Sequence, residues 1–237
     1  MLNSRTIGVA TELGFDAAYL LTIWALVIGL LRRLVPLQGA HRHGASSYVL
    51  AFLLLAVGDS AHVGLRLLGL SRGELSEGWV GYGALATAIT VTLFDLLLLQ
   101  GHQRQGRQQS SRGRWGPLPR LLLVLALGRL TLLALPQNHW ASVVPPQPWS
   151  LVRNLPLVAL TVGLGALYLG RQGDQQRWQR WIGVLLLISA LCHLPVVLWI
   201  QVQPLLGLLM IPKSLCYLAM GLIVYRRLPS MAPISSP

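Results

Sequence analysis

The sequence predicts an all-α membrane protein, a polytopic bundle of seven transmembrane helices. The chain of 237 residues is 54% hydrophobic and only 11% charged, whereas soluble domains carry about 25% charged residues. Its apolar residues fall in separate runs close to the roughly 20 residues that cross a bilayer. Composition and the spacing of these runs together give the fold class.

Seven apolar runs follow one another without a loop long enough for a soluble domain. We predict spans at residues 13–35, 47–69, 78–100, 118–136, 150–170, 181–201 and 204–225. The fourth run is short and contains Arg129, and the fifth opens with WSLVRNLP, in which Pro156 is expected in or near the first helical turn. Residues 1–228 are predicted to form a single transmembrane domain, and residues 229–237 a disordered tail.

Arginines are concentrated in alternate loops, which predicts the orientation of the bundle. The loop at residues 101–119 is rich in arginine and lacks acids, whereas QNHWASVVPPQPWS, after the fourth run, carries no arginine or lysine. Because positively charged loops stay in the cytoplasm, we expect the N-terminus outside and the C-terminus inside. The net charge of +12 thus reflects the orientation of the chain in the membrane. We expect the protein in the inner (plasma) membrane with the lipid bilayer as its partner, and we do not expect it to bind nucleic acid.

Ionisable residues within the spans mark a candidate site. The second run carries Asp59, His62 and Arg66 at spacing i, i+3, i+7, which places them within about 60° of one helix face. The seventh carries Lys213, the only lysine of the chain. A lone charge at such depth costs about 2.5–3.5 kcal/mol and usually faces a bundle interior. The other polar candidates in the later runs are Arg129, Arg153, Asn154 and His193.

The predicted orientation places this set in the outer half of the membrane, which indicates one outward-facing polar cavity. Asp95 is the expected exception, close to the cytoplasmic end, where it either pairs with a loop arginine or extends its carboxylate to the membrane surface. Cations outnumber acids in the outer half: Arg66, Arg129, Arg153 and Lys213 against Asp16 and Asp59. We therefore expect a non-enzymatic integral membrane protein that binds, senses or transports a small anionic ligand. Extra free N–H groups are expected near Arg153 at the start of the fifth helix.

Other functions remain open on the same residues. The polar groups could serve packing alone, with Asp59 paired to Lys213 or Arg129. Asp59, His62 and His193 could hold Zn²⁺ with an open position, as in a membrane-embedded metal hydrolase. His62 and His193 could also ligate a haem.

Several motifs resemble those of known membrane protein families. GDSAH with Arg66, FD, ALPQNHW, RNLP, LPVVLW and MIPKSLCY together resemble a family of small seven-helix bacterial integral membrane proteins that has no assigned activity. SALCHLPVVLWI and the mid-helix Lys213 are locally similar to the last two helices of microbial rhodopsins, which implies retinal on Lys213 with Asp59 as counterion, although Leu209 stands where that family has an acid.

A further resemblance concerns Ser60, Asp59 and His62, which are similar to zinc-site residues of the alkaline ceramidase and progestin-receptor-like superfamily. That resemblance implies a membrane-embedded zinc site. The seventh run departs from that family because it lacks the HxxxH pair.

Overall fold

In its described part, the computed structural model contains α-helices, short 3₁₀ segments and connecting turns but no strand, and it confirms the all-α prediction. It describes residues 4–71, 77–109, 116–142, 146–171 and 176–231. Within these ranges, side chains are not described for residues 4–13, 40–41, 69–71, 77, 106–109 and 230–231. The end of the predicted tail, residues 232–237, and the central parts of four loops, residues 72–76, 110–115, 143–145 and 172–175, lie outside the described residues.

Seven α-helices follow one another along the described chain. They are α1 (Ser4–Leu34), α2 (Gly39–Ser71), α3 (Glu77–Gln109), α4 (Pro117–Leu133), α5 (Gln147–Leu169), α6 (Arg177–Trp199) and α7 (Met210–Arg227). Short 3₁₀ segments at Pro136–Asn138, Pro204–Leu209 and Leu228–Met231 follow α4, α6 and α7.

Six of these helices are long and apolar enough to cross a membrane. The exception is α4, whose 17 residues extend about 26 Å at 1.5 Å per residue, slightly less than the roughly 30 Å of bilayer hydrocarbon. The protein is therefore a multi-pass membrane protein.

Consecutive helices run in opposite directions. The ends of α1 and α7 meet where Arg33 Nη1 donates a 2.7 Å hydrogen bond to the carbonyl of Tyr225, and the start of α5 meets the end of α6 where Gln147 donates to the carbonyl of Leu198 at 3.5 Å. We call the end where α1, α3, α5 and α7 begin the N-side, and the end where they finish the C-side.

Small residues allow close contacts between neighbouring helices, as in other membrane bundles. A Cβ atom added at Gly183 of α6 would lie 2.8 Å from the backbone oxygen of Gly165 in α5. A Cβ at Gly58 of α2 would overlap Thr90 of α3. The fold thus depends on glycine at these crossings, and the contacts fix the height of each helix relative to its neighbour.

Several helices begin or end well beyond the predicted spans. α2 begins at Gly39, α3 continues to Gln109, and α5 begins at Gln147, because polar residues with adequate helix propensity continue the helix past the apolar run. Two predictions about α5 were therefore wrong. Pro156 lies inside the helix, not in its first turn, and the N-terminus with its free N–H groups lies six residues before Arg153.

Candidate functional site

Arg129 is the most completely hydrogen-bonded of the predicted site residues. It projects from α4 with an exposed fraction of 1% and donates to the carbonyls of Arg153 in α5 at 3.0 Å and of Ala88 in α3 at 2.6 Å. It also donates to the hydroxyl of Thr92 and, at 3.5 Å, to the side-chain oxygen of Asn154. The N–H donors of its planar guanidinium therefore connect α4 to α3 and α5, and Arg129 is mainly a structural residue.

Arg153 holds the loop between α4 and α5 rather than lining an open mouth. Its Nη1 donates to Oδ1 of Asn138 at 3.3 Å, and its guanidinium carbon lies 4.0 Å from the ring centroid of Trp140. Asn138 in turn donates to the carbonyl of Leu132 at 2.6 Å, and Trp140 donates to that of Leu133 at 3.0 Å. The ALPQNHW motif thus satisfies the last carbonyls of α4, and Arg153 connects this cap to α5.

Asp59 has a short contact with α1 that sequence reasoning missed. The hydroxyl of Tyr19 donates to Oδ2 of Asp59 at 2.6 Å. Beside it, the indole N–H of Trp24 donates to Ser60 at 2.9 Å. Two of the three α2 residues that resembled a zinc site, Asp59 and Ser60, are therefore engaged by aromatic residues of α1, and no pattern in the sequence linked those distant positions.

Lys213 is buried near the N-side end of α7, with an exposed fraction of 6%. Its ammonium lies 5.9 Å from the ring centroid of Tyr217, and Asp59, Arg129 and Asp95 are its charged neighbours. Among the residues that the structure describes, none forms a hydrogen bond with this ammonium. Lys213 therefore has charged neighbours, but its N–H donors make no hydrogen bond within the described part of the chain.

His193 lies at a similar height on α6, and Lys213 and Arg129 are its charged neighbours. Both of its ring nitrogens are shielded from solvent and have no hydrogen-bond partner in the described part of the chain. A neutral imidazole has one donor and one acceptor, and buried polar groups in native proteins are nearly always hydrogen-bonded. This imidazole thus requires polar partners beyond those that the described side chains supply.

Asp95 belongs to the interior, and its predicted position near the cytoplasmic end was wrong. Its exposed fraction is 1%, and Oδ2 accepts a 2.9 Å hydrogen bond from Thr161 of α5. It lies one turn of α3 beyond Thr92, the partner of Arg129. The sequence did indicate a buried acid, since TLFDLLLLQ places an isolated aspartate among apolar residues. Its depth was predicted wrongly because the helix was expected to end soon after Asp95.

His62 and Arg66 are half-buried on α2, on the N-side of Asp59. The backbone of His62 packs closely on α3, since a Cβ at Gly83 would lie 3.1 Å from its Cα. Within the described ranges, no three His, Cys, Asp or Glu side chains are grouped so that they could hold a metal ion. Asp59, His62 and His193 are therefore not assembled as a zinc site in this conformation.

Aromatic rings close the bundle on the C-side of the charged residues. Phe94 packs edge-to-face against Phe52 and Tyr217, with ring centroids 5.4 and 5.3 Å apart. Phe94 directly precedes Asp95 in α3, so Asp95 lies at the level of these rings, whereas Tyr217 lies one turn beyond Lys213 toward the C-side. We call the rings the aromatic closure. They lie between the C-side and a charged layer formed by Asp59, Arg129, His193 and Lys213.

A second polar network lies beyond these rings, and sequence reasoning missed it. The hydroxyl of Tyr168 contacts that of Tyr48 at 3.2 Å and donates to the carbonyl of Leu98 at 2.9 Å. Arg171 donates to Nε2 and the carbonyl of His102 at 3.0 and 2.5 Å. Burial lowers the pKa of the Arg171 guanidinium. These contacts tie α2, α3 and α5 together at the C-side.

Comparison of the chain with protein-family models, curated proteins and solved structures finds no match. The chemistry of the charged layer is therefore the basis for a functional assignment.

Proposed function

We propose that this protein binds a small anionic solute between Lys213 and His193, on the N-side of the aromatic closure, and senses it or moves it across the membrane. The observation that carries the proposal is the pair of buried His193 nitrogens without a hydrogen-bond partner in the described chain, next to a buried lysine. A carboxylate or other oxyanion accepts hydrogen bonds from both an ammonium and an imidazole N–H. One such ligand therefore satisfies both groups.

The charge balance supports an anion. The buried cations Arg129, Arg153 and Lys213 exceed the two interior acids, Asp59 and Asp95, by one charge. Arg129 and Arg153 are held by protein groups, so Lys213 is the cation that remains for a ligand. The proposed ligand-binding residues are therefore fewer than those predicted from the sequence, which also included Arg129 and Arg153.

Proton coupling fits the same layer. Imidazole is the side chain whose charge changes nearest neutral pH, and chains of acids and histidines within membranes commonly relay protons. His193 gains a proton when an anion arrives and loses it when the anion leaves. Asp59, held by Tyr19, is the counter-charge for Lys213 in the empty state.

We also propose that all seven helices span the membrane, with the N-side outside and the C-side in the cytoplasm. α4 presents apolar side chains outward, with exposed fractions of 55% for Leu121, 65% for Val124 and 52% for Leu127, while Arg129 faces inward. That pattern suits a helix in contact with lipid. The binding layer then opens to the outside and is closed toward the cytoplasm.

The test is thermal unfolding of the purified full-length protein with acetate, phosphate or sulfate as probe. A bound anion raises the melting temperature by mass action. We expect this rise to disappear in Lys213→Gln and His193→Gln and to persist in Arg120→Gln, which removes an exposed arginine at the start of α4. Loss of the rise in all three variants would point to a general ionic effect and contradict the proposal.

Two further measurements distinguish the alternatives. Stoichiometric zinc in the purified protein, lost in His62→Ala and His193→Ala, would favour the hydrolase. A visible absorption band lost in Lys213→Gln would favour a retinal-type chromophore. If no probe anion changes the melting temperature of the wild-type protein, the anion site is rejected, and a packing role for these groups is favoured.

A further inference from the structure

Two adjoining cavities lie on the C-side, where α6 begins and α7 ends. One has a volume of about 410 Å³ and is lined by Arg177, Arg180, Trp181 and Val184. The other has a volume of about 350 Å³ and shares Arg177 and Trp181 with the first. Because the two cavities share these residues, they adjoin each other along α6, and we call them together the groove.

The groove carries a concentrated positive charge. Arg226 and Arg227 from the end of α7 line it opposite Arg177, and Arg180 contributes from the next turn of α6. Among the described lining residues there is no acid. Asp174 lies outside the described residues. Guanidinium groups bind phosphate oxygens through paired hydrogen bonds. The part of the groove nearest these arginines therefore suits a phosphate group.

The deeper part of the groove is apolar. Val184 of α6 and Ile223 of α7 lie about one helical turn further into the membrane than the arginines and line its floor. Trp181 has an exposed fraction of 53%, and tryptophan concentrates at the level of lipid head groups. A cationic rim above an apolar floor is complementary to an amphipathic molecule, whereas a soluble anion would match only the rim.

The geometry points to a binding site for the head group of an anionic phospholipid in this groove. The arginines of α6 and α7 hold the phosphate, and the first acyl carbons follow Trp181 toward Ile223. Basic pockets between helices at the cytoplasmic face are a general means of binding such lipids. The site lies at the opposite end of the bundle from Lys213 and does not depend on the proposed anion site.

Native mass spectrometry of the full-length protein with added phosphatidylglycerol, cardiolipin or phosphatidylcholine tests this site. We expect the two anionic lipids to remain bound and phosphatidylcholine to dissociate. In the double variant Arg180→Gln/Arg226→Gln, affinity for the anionic lipids should fall about 25-fold, since each arginine near an anionic surface contributes about fivefold. The control Arg42→Gln/Arg120→Gln removes two exposed arginines elsewhere on the C-side and should retain the lipid.

Equal losses in both double variants would show that binding follows total charge and would overturn the site. Equal retention of phosphatidylcholine would overturn the assignment of an anionic head group. If inorganic phosphate displaces cardiolipin at millimolar concentration, the groove binds a soluble anion instead. Should Arg180→Gln/Arg226→Gln fail to fold, the single variant Arg226→Gln provides the comparison, with an expected fivefold loss against Arg120→Gln alone.

Discussion

The guanidinium of Arg129 donates a 3.0 Å hydrogen bond to the backbone carbonyl of Arg153. The acceptor lies in α5 three residues before Pro156, next to the carbonyl of Val152, which the missing N–H of Pro156 leaves without its helical donor. Interior prolines are tolerated in membrane helices where side chains from neighbouring helices re-satisfy such backbone groups. The arginine that appeared to be a ligand-binding cation therefore anchors α5 in the turn that precedes Pro156.

Replacement of Arg129 should destabilise the protein because no other side chain has the same set of N–H donors for its buried acceptors. Arg129→Lys and Arg129→Gln should each lower the free energy of unfolding by about 1–3 kcal/mol for every buried acceptor left without a donor. Thermal and denaturant unfolding in detergent measure this. Arg120→Gln, on an exposed position of the same helix, should stay within about 0.5 kcal/mol of wild type. A stable Arg129→Lys variant would contradict the structural role.

Tyr19→Phe tests the contact between α1 and α2. It removes the hydroxyl that donates to Asp59 at 2.6 Å, and a hydrogen bond to a charged group contributes about 1.5–3 kcal/mol. We expect a loss of stability in that range. Tyr82→Phe is the matched control, because Tyr82 has an exposed fraction of 54%. Equal effects of the two substitutions would show that Asp59 does not depend on Tyr19.

Asp59 and Lys213 should show energetic coupling, since each is a charged neighbour of the other. Asp59→Asn or Lys213→Met alone leaves a buried charge without its partner, which costs about 3–5 kcal/mol. The double variant should recover part of that loss, giving a coupling free energy of about 0.5–3 kcal/mol. Unfolding of the four proteins under identical conditions completes the cycle. Strictly additive losses would show that the two charges act independently.

The sequence predicted the helices well and the contacts between them poorly. Hydropathy locates the membrane-embedded part of each helix, and all seven predicted runs overlap observed helices. It does not locate the helix end, so polar residues up to Gln109 extended α3. Asp95 therefore lies deeper than its place near the end of the apolar run suggested.

The candidate site was predictable only in part, for a related reason. Lys213 was recognisable as an isolated charge in an apolar run, and the structure places it in the interior. The roles of Arg129 and Arg153 depend on backbone carbonyls of neighbouring helices and on the folded ALPQNHW loop. Neither contact can be recognised from the spacing of residues in the sequence. Tyr19 likewise could not be linked to Asp59 from spacing, because they lie on different helices.

Orientation decides whether the charged layer opens to the outside. In a chain with Cys192 and Cys216 replaced by alanine, Gln137→Cys places a thiol on the N-side and Gln38→Cys places one on the C-side, both at exposed positions. The arginine distribution predicts that a membrane-impermeant maleimide labels Gln137→Cys in intact cells with a permeabilised outer layer. Gln38→Cys, and any cysteine placed within residues 101–119, should react only after the inner membrane is lysed. The reverse pattern would place Lys213 and His193 nearer the cytoplasm and move the proposed ligand entrance to that face.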